Sequence, residues 1–341
     1  MCWCDKVHSL EYKLLAPYRL ALEEVPIEWP PKKVPRILCK TKFTGISPGT
    51  EVAAWSGQKK LRDSGGYPRK IGYQNISEVI NISGEVTGVK VGDIVYTNEG
   101  HTSIFTCEPK DIIGIISGEG ETEKFLFAYM YHMGLCALST KSMVPAEKHR
   151  VTIFGAGALG LAVAELSKEL ALELVLVSDI EKSSLTNNLE FIRVNRVNFK
   201  QKYQFSTVRF QHSIITTNNW DDYNMGLSTL GDHGTLTLLG FPGRDGKLPL
   251  TNPFEPKFFY VNNLSIFSTP NLRKDLFNAT DTLMTLQESI SDIIQRISSG
   301  RLGQTFKDVE IFDYKELGNV YTGFEKRNNM AITAGIDWST I

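Results

Sequence analysis

No run of this chain approaches the roughly 20 consecutive apolar residues that a membrane-crossing helix requires, so no membrane partner is expected. Nor is there a surplus of positive charge: 37 Lys and Arg stand against 38 Asp and Glu, a net charge of −1. Without basic excess the phosphate backbone of a nucleic acid has nothing to draw it, and no nucleic-acid partner is expected. Cysteine is sparse, with five residues at positions 2, 4, 39, 107 and 136. An odd, scattered set does not make a disulfide framework and fits reduced thiols. Cys2 and Cys4 flank Trp3, but a metal site there would need further ligands, and only Asp5 and His8 are nearby. Free thiols on a frayed terminus are the simpler expectation. The opening MCWCDKVHSLEYK shows neither a signal-peptide nor a transit-peptide pattern, and a cytoplasmic location is expected. Internal repeats and low-complexity tracts are also missing.

What is present is material for two cores: 341 residues, 42% hydrophobic and 22% charged. The first third is built of short strand signals. RILCKTKFTGIS alternates apolar and polar residues and then breaks at SPGT, and NISEVINISGEVTGVKVGDIVYT is cut by Gly84, Gly88 and Gly92. IFTCEPKDIIGI has the same texture, and together these predict a mostly β, barrel-like or sandwich domain. From ETEKFLFAYMYHMGLCALST the spacing becomes helical. HRVTIF, LELVLVSD, HSIITTN, GTLTLLGF and LSIFSTP then read as short buried strands, with ALGLAVAELSKEL as a helix. That alternation predicts a parallel sheet covered by helices, an α/β fold. The tail predicts a helix over DTLMTLQESISDIIQRISSG, a strand over TFKDVEIF, a helix over KELGNVYTGFEKR and a last strand over AITAGIDW.

VTIFGAGALG matches G-x-G-x-x-G through Gly155, Ala156, Gly157, Ala158, Leu159 and Gly160. Three glycines at this spacing are weak on their own. Here a strand precedes them, a helix follows, and Asp179 ends the next strand about 20 residues on, the setting of a dinucleotide-binding Rossmann turn. Gly155 permits the tight turn, Gly157 lets a pyrophosphate approach the backbone, and Gly160 lets the helix pack on the sheet. The helix N-terminus offers free N–H groups to the phosphates. Asp179 is expected to accept bonds from the adenosine ribose and to repel a 2′-phosphate, which favours NAD over NADP. Ser178 and Lys182 leave NADP open.

With these motifs in place the chain resembles the medium-chain dehydrogenase/reductase superfamily, the fold of zinc alcohol dehydrogenases and quinone reductases, over nearly its whole length. The similarity lies in YRLALEEVPIEWPPKKVPRILCKTKFTGIS, in VKVGDIVYT, in the glycine turn and in GTLTLLGFPG. It implies a Rossmann doubly wound domain over 121–284, plus a mostly β, GroES-like catalytic domain over 1–120 that 285–341 completes. It also implies a homodimer or tetramer.

The sequence departs from the zinc-dependent pattern of that family. GISPGTE (Gly45–Glu51) puts Ser47 or Pro48 at the cysteine ligand's place, Gly72-Tyr73-Gln74 replaces Gly-His-Glu, and only Cys107 falls between 85 and 115 where a structural zinc cluster would sit. Ser, Pro and Tyr do not supply zinc's usual ligands, so no zinc is expected. GISPGTE, PRKIGYQNISEV and GDIVYTNEGH resemble a subgroup that includes the bacteriochlorophyllide-forming dehydrogenase of pigment synthesis.

Without a metal, side chains must carry the proton and steady the alkoxide. By family position the resemblance nominates Thr50 for the relay, Glu51 as its neighbouring acid, Tyr73 in the place of a histidine ligand, and His101, a residue type able to exchange protons at neutral pH. Structural readings stand beside each: Thr50 as a helix cap, Glu51 as a helix-dipole contact or ion pair, Tyr73 as packing, His101 as a surface-loop residue. For His132 and Trp55 packing is the better expectation. Asn218 and Thr269, at strand ends where open sheets bind ligands, are candidate nicotinamide contacts. The expected function is a zinc-free NAD(P)-dependent oxidoreductase that interconverts a secondary alcohol and ketone on a small biosynthetic molecule. Two alternatives stay open: transient oxidation by tightly bound NAD that drives elimination or epimerisation, and a nucleotide-binding scaffold or sensor without turnover.

Overall fold

The computed structural model describes residues 7–29, 33–58, 66–117, 120–139, 149–169, 173–179, 191–244, 246–268, 275–277, 283–326 and 331–341. Cys2, Cys4, Lys182 and Thr269 lie outside them. The chain forms two compact units. One takes Met1–Tyr129, Ile290–Ser298 and Phe306–Ile341; the other takes Met130–Ser289 and Ser299–Thr305.

In the first unit, β1 (His8–Ala16) and β2 (Arg19–Pro26) make an antiparallel hairpin that no sequence signal had announced. β3 (Arg36–Gly45) leads through a short loop into α1 (Pro48–Trp55). Ser47 is the N-cap of α1, so the capping role considered for Thr50 is corrected: Thr50 lies inside the first turn. β4 (Arg69–Lys70) pairs with β1. β5 (Asn75–Ser83), β6 (Ile94–Thr97), β7 (Ile104–Cys107) and β8 (Ile112–Ile116) are the short strands predicted from the glycine-punctuated stretch.

In the second unit, α2 (Ala128–Leu138), which begins just before the division, leads to β9 (Arg150–Phe154). There follow α3 (Ala158–Glu169), β10 (Glu173–Val177), β11 (Ile192–Val194), α4 (Arg196–Tyr203), β12 (Phe210–Ile215), α5 (Trp220–Thr229), β13 (Leu230–Leu238) and β14 (Ser265–Ser268). The sheet order is β11-β10-β9-β12-β13-β14, every neighbour parallel. The connections reverse direction between β9 and β12, the switch point where open sheets of this kind bind ligands. Phe154, Val175, Val177, Phe199, Phe210 and Leu236 share its core.

β15 (Asp275–Phe277) and β16 (Leu283–Thr285) pair antiparallel, so the predicted helix from Asp281 starts only with α6 (Leu286–Ser298). A reciprocal cap sets that boundary: Glu288 N–H bonds Thr285 Oγ1 at 3.2 Å, and Thr285 N–H bonds Glu288 Oε2 at 2.7 Å. In the tail, β17 (Ile311–Asp313) is shorter than the strand expected over TFKDVEIF, and α7 (Leu317–Glu325) and β18 (Gly335–Asp337) follow. β18 pairs with β3 and gives the first unit a sheet of order β17-β18-β3-β5-β6-β8, with β7 also on β3. Its core joins residues from both ends of the chain: Tyr12, Ile46, Trp55 and Ile71 with Leu317, Tyr321, Ile336 and Trp338.

Candidate active site

The glycine turn leaves β9 and enters α3 at the switch point. Gly155 adopts φ +107°, which a side chain would strain. A Cβ on Gly160 would lie 2.0 Å from the Gly155 carbonyl oxygen, so α3 can start where it does only with glycine there. Gly157 differs. It is exposed, and a Cβ built on it meets nothing within 4 Å. Ala156 and Ala158 are buried beside it, and Leu159 is half-buried. An open backbone surface at the N-terminus of a 12-residue helix fits a pyrophosphate group.

Asp179 follows β10 and is half exposed. Its two carboxylate oxygens accept from Arg196, from the backbone N–H at 2.8 Å and from Nη1 at 2.6 Å. Burial raises the Asp179 pKa, but the Arg196 bonds outweigh it and hold the carboxyl below its ordinary value. Arg196 also forks onto the fully buried Asp222 through Nε at 2.6 Å and Nη2 at 2.7 Å, and Asp222 accepts the Thr217 hydroxyl at 2.6 Å. Sequence reading missed Arg196, Asp222 and Thr217, which lie 17, 43 and 38 residues beyond Asp179. Asn218 serves the loop after β13: its Oδ1 accepts the Phe241 N–H at 2.9 Å and its carbonyl accepts that of Gly243 at 3.3 Å.

The acid–base candidates of the first unit converge on the loop between β3 and α1. Glu51 reaches back one turn so that Oε1 accepts the Ser47 N–H at 2.7 Å. Its Oε2 accepts the Tyr321 hydroxyl at 2.6 Å and faces His101 Nε2 at 2.8 Å. His101 Nδ1 lies 2.7 Å from Thr44 Oγ1, which accepts the Trp338 indole N–H at 2.9 Å. A carboxylate only accepts, so Nε2 carries a proton, and in the neutral ring the Thr44 hydroxyl donates to Nδ1. His101 and Glu51 are 1% and 2% exposed, which corrects the reading of His101 as a surface-loop residue. Both ring nitrogens are already engaged. Gly72 makes this possible, since a Cβ there would meet His101 Cδ2 at 2.8 Å and its φ is +93°.

Tyr73 stands at the edge of this network. It is half-buried and packs edge-on against Tyr129, with the Ser47 and Thr50 side chains close enough to favour its ionised form. Burial pushes its hydroxyl well above the ordinary tyrosine value, and the Glu51 charge adds to this. The next residue, Gln74, is fully buried, and neither its amide oxygen nor its nitrogen has a partner in the protein. Such a group calls for water or a ligand. Trp55 is in the core, and His132 is buried with Nδ1 3.0 Å from Ser289 Oγ, both as packing residues. Among the described residues no three of His, Cys, Asp and Glu gather as a metal's ligands would.

No family model matches the chain. The L-threonine 3-dehydrogenase of Aliivibrio salmonicida is 24% identical over 243 residues, 61% of this chain and 70% of that protein. Among solved structures, an alcohol dehydrogenase from Thermotoga maritima superposes with a TM-score of 0.77 at 14% identity, covering 97% of this chain and 99% of the other. An Escherichia coli alcohol dehydrogenase in complex with NADH gives the same TM-score, identity and coverage. The fold is therefore that of the medium-chain dehydrogenases, a Rossmann unit with a mixed-sheet unit beside it in sequence.

Proposed function

We propose that this protein is a zinc-independent oxidoreductase that uses a nicotinamide nucleotide, NAD in preference to NADP, to interconvert a secondary alcohol and a ketone on a small molecule of cytoplasmic biosynthesis. The observation that carries this reading is the open backbone at Gly157, placed at the switch point between β9 and β12 and followed by α3. That the sequence relative and the structural neighbours are named dehydrogenases supports it.

The bound nucleotide supplies the site that accepts or donates hydride. The turn from Gly155 to Gly160 would hold its pyrophosphate, and Asp179 its adenosine ribose. Tyr73 is the group assigned to the substrate's proton. It is half-buried, and its hydroxyl is held protonated at neutral pH, the state that gives a proton to the oxygen of a ketone being reduced. Ser47 and Thr50 orient that hydroxyl. Glu51 and His101 hold Ser47 and the first turn of α1 that carries Thr50, and act on the reaction through position. A catalytic zinc does not fit this donor set: Ser47 and Tyr73 are poor ligands, and both His101 nitrogens are committed to Thr44 and Glu51.

Calorimetric titration with NAD should give saturable binding that Asp179→Ala weakens by about tenfold, the value of one charge-assisted bond. Absence of binding by the unaltered chain would refute the nucleotide reading, and one zinc per chain after dialysis would refute the metal-free one.

A further inference from the structure

We propose that Gln74 determines the substrate class of this site: its amide takes a hydroxyl on the carbon next to the reacting one. The preferred substrates are then hydroxy ketones with their two oxygens on adjacent carbons, and the vicinal diols formed from them. The inference rests on the alcohol–ketone reading above and deepens it.

Gln74 is an exception in its surroundings. It follows Tyr73 and is fully buried, yet neither atom of its amide has a partner among the described residues. Asn75, the next residue and equally buried, donates from Nδ2 to Thr41 Oγ1 at 3.1 Å and to the Gly100 carbonyl at 3.3 Å. The fold thus satisfies one amide and leaves its neighbour open, at a cost that a side chain without polar atoms would avoid. The backbone places the orphan, since the Gly45 N–H donates to the Gln74 carbonyl at 2.9 Å. A Cβ built on Gly45 would lie 3.2 Å from Gln74 Nε2, 3.1 Å from the Phe127 ring and 3.2 Å from Leu126 Cγ, so the amide rests among apolar groups. The same two segments run on to Ser47 and to Tyr129, the residues beside Tyr73. Tyr73 and Gln74 therefore stand at successive stations along one pair of segments.

Only packing holds the amide here, because it has no hydrogen bond to break when it turns to a ligand. An amide offers a donor and an acceptor side by side and no charge. A carboxylate would engage only its nitrogen and an ammonium only its oxygen, and either would bring a charge into apolar surroundings. A hydroxyl both donates and accepts, and so serves both atoms. Because Tyr73 is the adjoining residue, that hydroxyl belongs on the carbon next to the one that gains or loses hydride.

The test compares two ketones of nearly equal shape, hydroxyacetone and butan-2-one, in which a hydroxyl and a methyl group trade places. Their reduction by the full chain with NADH gives kcat/KM for each. The unaltered protein should prefer hydroxyacetone by about tenfold or more, the value of one hydrogen bond to a group otherwise left unpaired. Gln74→Met keeps the length and bulk of the side chain and removes the orphan amide. It should cut that ratio about tenfold while the melting temperature holds or rises. A merely structural role would lower the melting temperature and reduce both constants alike, and that result, or an unchanged ratio, would overturn the proposal. Equal use of both ketones by the unaltered chain would overturn it too, and would leave the alcohol–ketone reading standing. If neither ketone were reduced, that reading would fall with it.

Discussion

Tyr73 and Tyr321 are both tyrosines near Glu51, yet they do different work. Tyr73 is half-buried beside the side chains of Ser47 and Thr50, whereas Tyr321 is fully buried and donates to the Glu51 carboxylate at 2.6 Å. Tyr73→Phe should lower turnover by a factor on the order of 100 or more, as loss of a general acid does, with little change in melting temperature. Tyr321→Phe should do the reverse. It strips a donor from a buried carboxylate and should cost roughly 1–3 kcal/mol of stability. Measuring kcat and thermal unfolding for both variants separates the roles; equal turnover in Tyr73→Phe and the unaltered enzyme would remove the tyrosine from the chemistry. Two other buried residues govern the response to acid. Burial lowers the His132 pKa to about 4, and burial together with neighbouring His149 lowers His212 to about 4. In the unfolded chain both titrate near 6.5, so the unfolded state takes up more protons between these values. Their contribution to stability is complete above about pH 6.5 and is lost as pH falls towards 4. At pH 5 the loss should be on the order of 2 kcal/mol per histidine, read as a lower denaturant midpoint than at pH 7. His212→Gln should flatten that slope, and an unchanged slope would contradict the assignment.

Among the elements, the turn before β5 and the loop between β6 and β7 depend on each other through Gly72. Gly72→Ala would press a methyl group onto the His101 ring at a backbone angle that L residues avoid. It should cost a few kcal/mol, or about 1–3 for the strain alone, seen in the urea midpoint. A variant of normal stability would mean that His101 can withdraw without loss. Elements with a strong local period were legible: β3, β5, β9, α3, β10, β12 and β13 fall on the stretches whose apolar spacing predicted them. The hairpin of β1 and β2 was not. Its outer strand reads RLALEEVP and buries no residue fully, so no apolar pattern marked it. α4 and α5 were missed as well; polar RVNFKQKY and WDDYNMGLST are helices through their Asn195 and Asn219 caps and their contact with the sheet, not through a sustained apolar face.

For the molecule as a whole, the homodimer or tetramer implied by the family resemblance has a candidate surface in the second unit. Leu248, Leu250, Phe254, Tyr260 and Val261 are each at least 66% exposed, in the stretch leading into β14, which ends the described order of its sheet. Exposed apolar side chains in one stretch of chain are a feature that monomers suppress, and among the described residues no strand covers the outer side of β14, an edge that could pair with its own copy about a twofold axis. Leu250→Asp should shift the sedimentation coefficient from dimer to monomer without loss of secondary structure; a monomeric parent would dispose of the idea. The glycine turn was readable from residues alone because its requirements are local: three glycines, a strand, a helix and one acid within about 30 positions of each other. The four acid–base nominees were also readable by position, but their roles were not. Glu51 meets His101 across 50 residues and Tyr321 across 270, and Thr44 meets Trp338 across 294. Local periodicity and glycine spacing thus determined the fold class and the place of the glycine turn. Only tertiary structure decided which polar groups meet, because a hydrogen bond depends on distances that folding sets between residues the chain holds far apart. It closed His101 and Glu51 into a buried pair, left Tyr73 at its edge, and put Arg196 under Asp179.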